Sequence, residues 1–562
     1  MNSIKKIGNL IFVLSVLLVT SCDDITDINE NPNGVNPNTA NPNFILSGVM
    51  IGVGKDVAGK GYNEPIAAYV QHVQKDSWSS NEYDWAGNGW ETYYNNLRNA
   101  NLAYERAVEL ELEFHQGVAL VLRGYLFGLL TDFYGDVPFS EALMGGENSL
   151  PKYDSQETIY KGIIADFEMA ANLLSKDPGE YAQIDPDQDL YFQGDPEKWM
   201  KFANSMALRY YMRLSEKDPG YAGAGVQKML GQPLIDSIDD ECSMPFVGVS
   251  ADDSWPANGV NTGRSDFTRI KPCATLTYKL DALNDPRMDI WFAPVETPIK
   301  VVPVGDIPGG GDDVLADGVR YINEATLAAN NQKIYDPATW YQDRLDGLTM
   351  IDTNSVYVGL PVSNQNTDPY TYNLNPKAER GGFNTHVSEM NNQFNQVSGD
   401  NLKARVFSYA ELCFLKAEAA LKGWGSDAEG NYNKGVQASF DTWGIGDLYD
   451  DYIDNVGVAF DGSLAQVMEQ KWIANFTSAT EAYFDWRRTG FPDLRPGPFA
   501  KSTVIPVRFP YDDSDRFINV ANYNAALNSL EATEHTDDVP GYQGVDSPWS
   551  KPWLLQDITK PW

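Results

Sequence analysis

Cysteine and histidine are scarce in this chain of 562 residues, with four of each. Cys242, Cys273 and Cys413 are the cysteines beyond the N-terminal region. Their odd number allows at most one internal bridge and excludes a disulfide scaffold. Cys413 lies in a strongly helical stretch and reads as a small buried apolar residue. His72, His115, His386 and His535 form neither HExxH nor HxH, which argues against a zinc hydrolase. Basic residues are few as well. Against 78 Asp and Glu stand 42 Lys and Arg, and the net charge of −36 is repelled by phosphate backbones and by anionic lipid surfaces. After the N-terminus no segment reaches the roughly 18 uninterrupted apolar residues of a membrane helix.

Familiar chemical signatures are missing too. No GxSxG elbow occurs. Gly54 to Lys60 matches the opening of a phosphate loop, but Gly61 stands where Ser or Thr must hold magnesium. Asp185, Asp187 and Asp189 mimic the start of an EF-hand. Leu190 then takes the place of the required Gly, and Pro196 that of the Glu, so the stretch reads as a solvated acidic loop. No metal and no other cofactor is expected.

Apolar residues, in contrast, are plentiful at 43%, with 14 Trp and 30 Tyr, which excludes a disordered chain. The length implies two or more subdomains. Lys5 and Lys6 precede the mostly apolar run Ile7 to Val19, a signal-peptide pattern too short to span a bilayer. The run ends at Val19-Thr20-Ser21-Cys22. Small residues before a cysteine resemble a bacterial lipobox, so residues 1–21 are expected to be removed and Cys22 to carry lipid. Residues 22–44, rich in Asn-Pro, read as an extended tether.

Helical patterns dominate residues 45–245. Asp154 is predicted to cap a helix, with Glu157 as its reciprocal partner. Ile159, Ile163, Phe167, Ala170 and Leu174 then form one apolar stripe. Phe202, Met206, Tyr210 and Leu214 form another, which Asp218-Pro219-Gly220 is expected to end. Residues 246–400 read as an irregular, loop-rich insertion in which Pro, Gly, Asn and Asp break every helix. Helical periodicity returns over 401–530, with a helix at Arg405 to Lys422 stopped by Gly423. Residues 531–562 form a loop-like tail.

Aromatic and polar residues mix in Trp78-Ser79-Ser80-Asn81-Glu82-Tyr83-Asp84-Trp85, and again at Trp340-Tyr341 and at Tyr370 to Asn373. Such mixtures suit sugars, whose CH faces stack on rings while hydroxyls pair with Asn, Asp, Gln or Arg. Trp78, Asn81, Tyr83, Trp85, Trp340 and Tyr341 are therefore the candidate ligand-binding residues. Trp90, Trp199, Trp472 and Trp486 lie in helical patterns and read as core. A glycoside hydrolase using two carboxylates is the alternative class, but no pair stands out among 78 acidic residues.

Several stretches resemble the SusD/RagB family of outer-membrane nutrient-binding lipoproteins. Val121 to Phe127 runs into Leu130-Thr131-Asp132-Phe133-Tyr134-Gly135-Asp136-Val137-Pro138-Phe139-Ser140-Glu141-Ala142, close to the family's T-D-x-Y-G-D-V-P-Y-S-E-A turn. Tyr191 to Asp195, Lys198 to Ser205, Asn284 to Arg287, Lys416 to Ala419 and Asp485 to Pro492 follow in family order. Ile505 to Tyr511 follows as well. There Pro510-Tyr511 is inverted, and Asp515 stands where the family often has Glu. The resemblance implies an all-α fold of tetratricopeptide-like helix pairs carrying an irregular insertion. It also implies a binding protein rather than an enzyme, working with a SusC-type TonB-dependent outer-membrane barrel and taking a glycan or a peptide. Asp485, Arg487, Arg488, Glu411 and Glu418 are expected to lock helices through ion pairs rather than to bind nutrient.

Overall fold

The computed structural model describes residues 39–562 except 63–64, 76–82, 84–88, 146–147, 257–264, 363–372, 374–383, 543, 559 and 561–562. Helices of eight or more residues are numbered here. They are α1 (Pro42–Tyr62), α2 (Glu91–Glu109), α3 (Glu113–Tyr134), α4 (Gln156–Leu173), α5 (Pro196–Arg213) and α6 (Pro219–Met229), then α7 (Ala274–Leu283), α8 (Tyr409–Leu421), α9 (Ala428–Thr442), α10 (Leu464–Ala474), α11 (Ala479–Thr489) and α12 (Val520–Leu527).

Local chemistry sets the boundaries. α1 starts inside the stretch read as tether, because Asn-Pro is also a helix start. Asn41 Oδ1 accepts the Asn43 amide at 3.0 Å, and Pro42, lacking an N–H, suits the first turn. The cap of α4 is Ser155, whose side chain accepts the Thr158 amide, and not Asp154. Asp154 instead accepts the Ser140 amide at 2.7 Å and so ties down the turn after α3. The stripe Ile159, Ile163, Phe167, Ala170 and Leu174 is fully buried, each large side chain contributing about 1.5–3 kcal/mol. Asp218-Pro219 does more than stop α5. Asp218 caps α6, accepting the Tyr221 amide at 3.1 Å.

Helices that follow one another in the chain pack as pairs, through short links at α2–α3, α5–α6 and α8–α9 and through longer ones at α3–α4 and α4–α5. α2 packs on α3, α3 on α4, α4 on α5, α5 on α6 and α8 on α9. By length and composition α3 is the described helix able to cross a membrane, but 94% of its apolar window is buried inside the protein. It is the central rod of the scaffold. Its Gly124 and Gly128 admit rings: a Cβ on Gly124 would lie 2.9 Å from Phe167, and one on Gly128 would overlap the Tyr210 hydroxyl.

Strands are short: β1 (Val73–Lys75), β2 (Val137–Pro138), β3 (Tyr153–Asp154), β4 (Cys242–Pro245), β5 (Ile270–Pro272), β6 (Ile299–Val301), β7 (Asp313–Ala316), β8 (Val319–Ile322), β9 (Gln332–Ile334), β10 (Thr349–Ile351) and β11 (Lys403–Phe407). β11 occupies the start of the stretch predicted as helix from Arg405. It pairs antiparallel with β4, and Ser408 then caps α8. Gly423 leaves α8 at φ +78°, as expected. The insertion is not helix-free: α7 forms, and β6, β8 and β7 make a small sheet beside the parallel pair β9–β10. Two satellite clusters, one of Val295, Met350, Val358, Leu360 and Val387 and one around Ile322 and Ile351, hold this region together. The tail is irregular but built in. Trp549 is buried, and Arg508 Nη1 pairs with Asp546 at 2.8 Å.

A buried ionic network joins the two halves of the scaffold. Arg209 (α5) forms a bidentate pair with Glu411 (α8) at 2.8 and 2.7 Å. Arg213 pairs with Glu481 at 2.6 Å and lies 3.4 Å from Asp132. Arg488 pairs bidentately with Glu418 at 2.5 and 2.7 Å and also reaches Asp485, which takes Lys471 at 2.7 Å. Arg487 donates to the carbonyls of Asp132 and Val507. Burial alone raises the Asp485 carboxyl, but Lys471, Arg488 and Arg213 outweigh it and hold the carboxyl below its ordinary range. These motif residues have the structural role expected of them. Trp90, Trp199, Trp472, Trp486 and Cys413 are likewise buried.

Candidate functional site

Where the insertion meets the first helices, three chain segments distant in sequence run side by side. β1 pairs antiparallel with β5, Val73 opposite Pro272 and Lys75 opposite Ile270. The Leu360 amide donates to the Pro272 carbonyl at 2.8 Å, and the Ala274 amide to the Leu360 carbonyl at 2.9 Å. Gln71, held at φ +61°, fastens the corner. Its Nε2 donates to the Arg495 carbonyl at 2.8 Å and to the Tyr83 hydroxyl at 3.1 Å, and its Oε1 accepts from Thr275 Oγ1 at 2.7 Å.

Beside this corner stands a ladder of aromatic rings. Tyr278 on α7 lies 5.1 Å from Tyr335, Tyr335 lies 6.1 Å from Trp340, and Trp340 lies 6.2 Å from Tyr341. The β9–β10 pair positions them. The Tyr335 amide donates to the Ile351 carbonyl at 2.7 Å, and the Trp340 amide to the Asp336 carbonyl at 2.8 Å. Lys333 on β9 holds Asp343 at 2.7 Å and so pins the helix Trp340–Leu345. Tyr335 and Trp340 rest on the satellite cluster of Met350 and Leu360 and are half-buried, while Tyr341 is 42% exposed. The Tyr278 hydroxyl donates to Asp352 at 2.9 Å. Burial, and then the Asp352 charge, push the Tyr278 phenol up, and burial does the same for Tyr335. Both phenols are neutral at physiological pH. Of these four rings Tyr341 presents the most open surface to a CH group, and the Tyr278 hydroxyl is committed to Asp352. At the far side the Arg344 guanidinium lies 5.0 Å over the Phe499 ring.

The structure brings Trp340 and Tyr341 together, with Tyr341 the open ring. Tyr83 corrects the sequence reading. It has no exposed surface, lies 5.3 Å from Tyr69 and spends its hydroxyl on Gln71, so it is a core ring. Turn-rich neighbours suggested exposure, but a phenol with a buried partner can be enclosed at little cost. Asn373 is enclosed too, bonding Asp352 and the His386 carbonyl. Trp78, Asn81, Trp85 and Cys22 lie outside the described residues. Tyr278 and Tyr335 escaped the sequence reading. The signal for Tyr335 was its place five residues before Trp340 across an Asp-Pro turn, whereas Tyr278 joins from another element. Among the described residues no group of three or more His, Cys, Asp or Glu side chains is arranged to hold a metal.

A family model, SusD-like_2, described as starch-binding and associating with outer membrane, matches residues 33–339 and 356–512. Among solved structures, a chitin-binding protein is similar at a TM-score of 0.68 and 22% identity, over 92% of this chain and 100% of its own. A SusD homolog from Bacteroides fragilis gives 0.68 at 19% identity, over 92% and 100%. A chitin-binding SusD homolog from Flavobacterium johnsoniae gives 0.63 at 19% identity, over 91% and 99%. No curated protein matches.

Proposed function

The chain belongs to the SusD-like family, and from that premise we propose that it binds a glycan at the outer-membrane surface and hands it to a SusC-type TonB-dependent barrel. The observation that carries the binding role is the aromatic ladder, a set of pre-positioned rings ending in the exposed Tyr341. Trp340 and Tyr341 are its stacking residues. Trp78, Asn81 and Trp85, which lie outside the described residues, are proposed as further ligand contacts on their sequence alone. Relatives described as chitin-binding support a glycan over a peptide. Binding needs no bond-making, and no catalytic residue is assigned. Lipid on Cys22 anchors the protein.

The test is a binding screen of the full chain against neutral, amino and acidic polysaccharides and against peptides. Saturable glycan binding without release of shortened products is the expected result. Retention of peptides alone would replace the ligand class, and cleavage of the polymer would replace the function. In cells, Cys22→Ala should leave the outer-membrane fraction, and a mild-detergent pull-down should recover a large barrel. Membrane retention of the variant would remove the lipid anchor from the proposal, and recovery of the lipoprotein alone would remove the barrel.

A further inference from the structure

The motif Thr131 to Ala142 borders a cavity that the aromatic ladder does not use. About 600 Å³ in volume, it opens between the start of α2 and the turn Asp512 to Asn519, with Pro138 and Pro151 along its wall. Sites for small organic ligands have volumes of about 300–1,000 Å³.

Its back is a box of interlocked rings. Trp90 stands edge-on to Tyr94, Tyr134 and Tyr153 at 5.7, 5.2 and 5.7 Å, and Tyr153 meets Tyr511 at 5.4 Å. Rings braced in this way cannot fall into the space. The rim is polar and already held in place. Asp512 accepts the Ser514 amide at 2.9 Å and the Trp90 amide at 3.3 Å. The Tyr153 hydroxyl donates to Asp515 Oδ2 at 2.5 Å, and Asp515 is half-buried at the cavity mouth. Ile518, 66% exposed, makes an apolar lip.

We infer that this cavity is a second saccharide site, taking a neutral, hydroxyl-rich ring between the Asp512–Asp515 rim and the Trp90–Tyr94 wall. Carboxylates accept hydroxyl protons and give none, and sugar hydroxyls are the donors that match them. Glu91, Asp512 and Asp515 outnumber Arg98 around the opening, so uronic, sulfated and phosphorylated sugars are repelled. The inference rests on the glycan-binding reading for its ligand class and shares no residue with the ladder.

The experiment titrates the full chain with maltoheptaose, cellohexaose and chitohexaose, using three variants whose melting is checked against the parent. Trp340→Ala/Tyr341→Ala should keep one saccharide bound per chain. Asp512→Asn/Asp515→Asn should weaken that remaining event about tenfold or more. Ile518→Trp, an exposed change that leaves the core untouched, should block it. If the ladder variant binds nothing while the parent binds, the second site is overturned and the ladder stands. If the carboxylate and Ile518 variants bind like the parent, the second site is again overturned. If the parent binds none of the three, both sites fail for neutral sugars.

Discussion

Glu418→Gln probes the buried network at its best-formed pair. Glu418 has no exposed surface, Arg488 is 1% exposed, and the two share contacts of 2.5 and 2.7 Å. The network's fully buried members are five basic side chains (Arg209, Arg213, Lys471, Arg487, Arg488) and five acidic ones (Asp132, Glu411, Glu418, Glu481, Asp485), and the half-buried Lys422, 3.8 Å from Glu418, is balanced by Glu216, so the whole is neutral. The substitution keeps the shape of the side chain but leaves one buried positive charge uncompensated. Arg488 retains Asp485 at 3.0 Å and Ser215 at 2.9 Å, contacts that soften the loss without cancelling it. Breaking one partner of a buried pair costs about 3–5 kcal/mol. With an unfolding entropy of about 2.1 cal/mol/K per residue, a chain of 562 residues shifts by about 1 °C of melting temperature per kcal/mol, or roughly 3–5 °C in all. Calorimetry of parent and variant gives the shift. Glu418→Met/Arg488→Met should recover part of it, because an apolar pair has no desolvation penalty. If Glu418→Gln melts with the parent, or the double variant is worse than the single, the network does not clamp the halves.

Gly128→Ala should cost about 1–3 kcal/mol, because the added methyl meets the buried Tyr210 hydroxyl; Tyr210→Phe in the same background should recover part of the loss in a melting experiment. Burial lowers the His72 pKa to about 3, against the pull of its bond to the Trp472 carbonyl. Below about pH 6.5 the unfolded chain therefore binds a proton that the folded chain refuses, and stability falls by about 1.4 kcal/mol per pH unit, or about 2 kcal/mol by pH 5. His72→Gln should flatten this slope between pH 6.5 and 5, and an unchanged slope would show that His72 is not the group responsible.

Much of the scaffold was legible in the sequence, since apolar stripes at helical spacing follow from the helix itself. Ile159 to Leu174 and Phe202 to Leu214 were found in this way and are buried. What failed was punctuation. Asn41-Pro42 and Asp218-Pro219 are turn signals and helix starts at once, and only the neighbouring amides decide which. In sequence β11 looks like the beginning of α8, because Arg405 to Phe407 continues the apolar pattern and its partner β4 lies about 160 residues away. The site was half legible. Trp340 and Tyr341 stood out as a pair, but exposure is set by tertiary partners. Tyr83 met Gln71 and Tyr69 and was enclosed, while Tyr278 entered the ladder from an element that composition does not link to it.

The most direct measurement is calorimetric titration of the parent, Trp340→Ala and Tyr341→Ala with the glycan that the screen identifies. Loss of one stacked ring should cost about 1–3 kcal/mol, a weakening of roughly 5- to 150-fold, with the melting temperature of Tyr341→Ala unchanged. If both variants bind that glycan with the parent's affinity, the aromatic ladder is not where it binds.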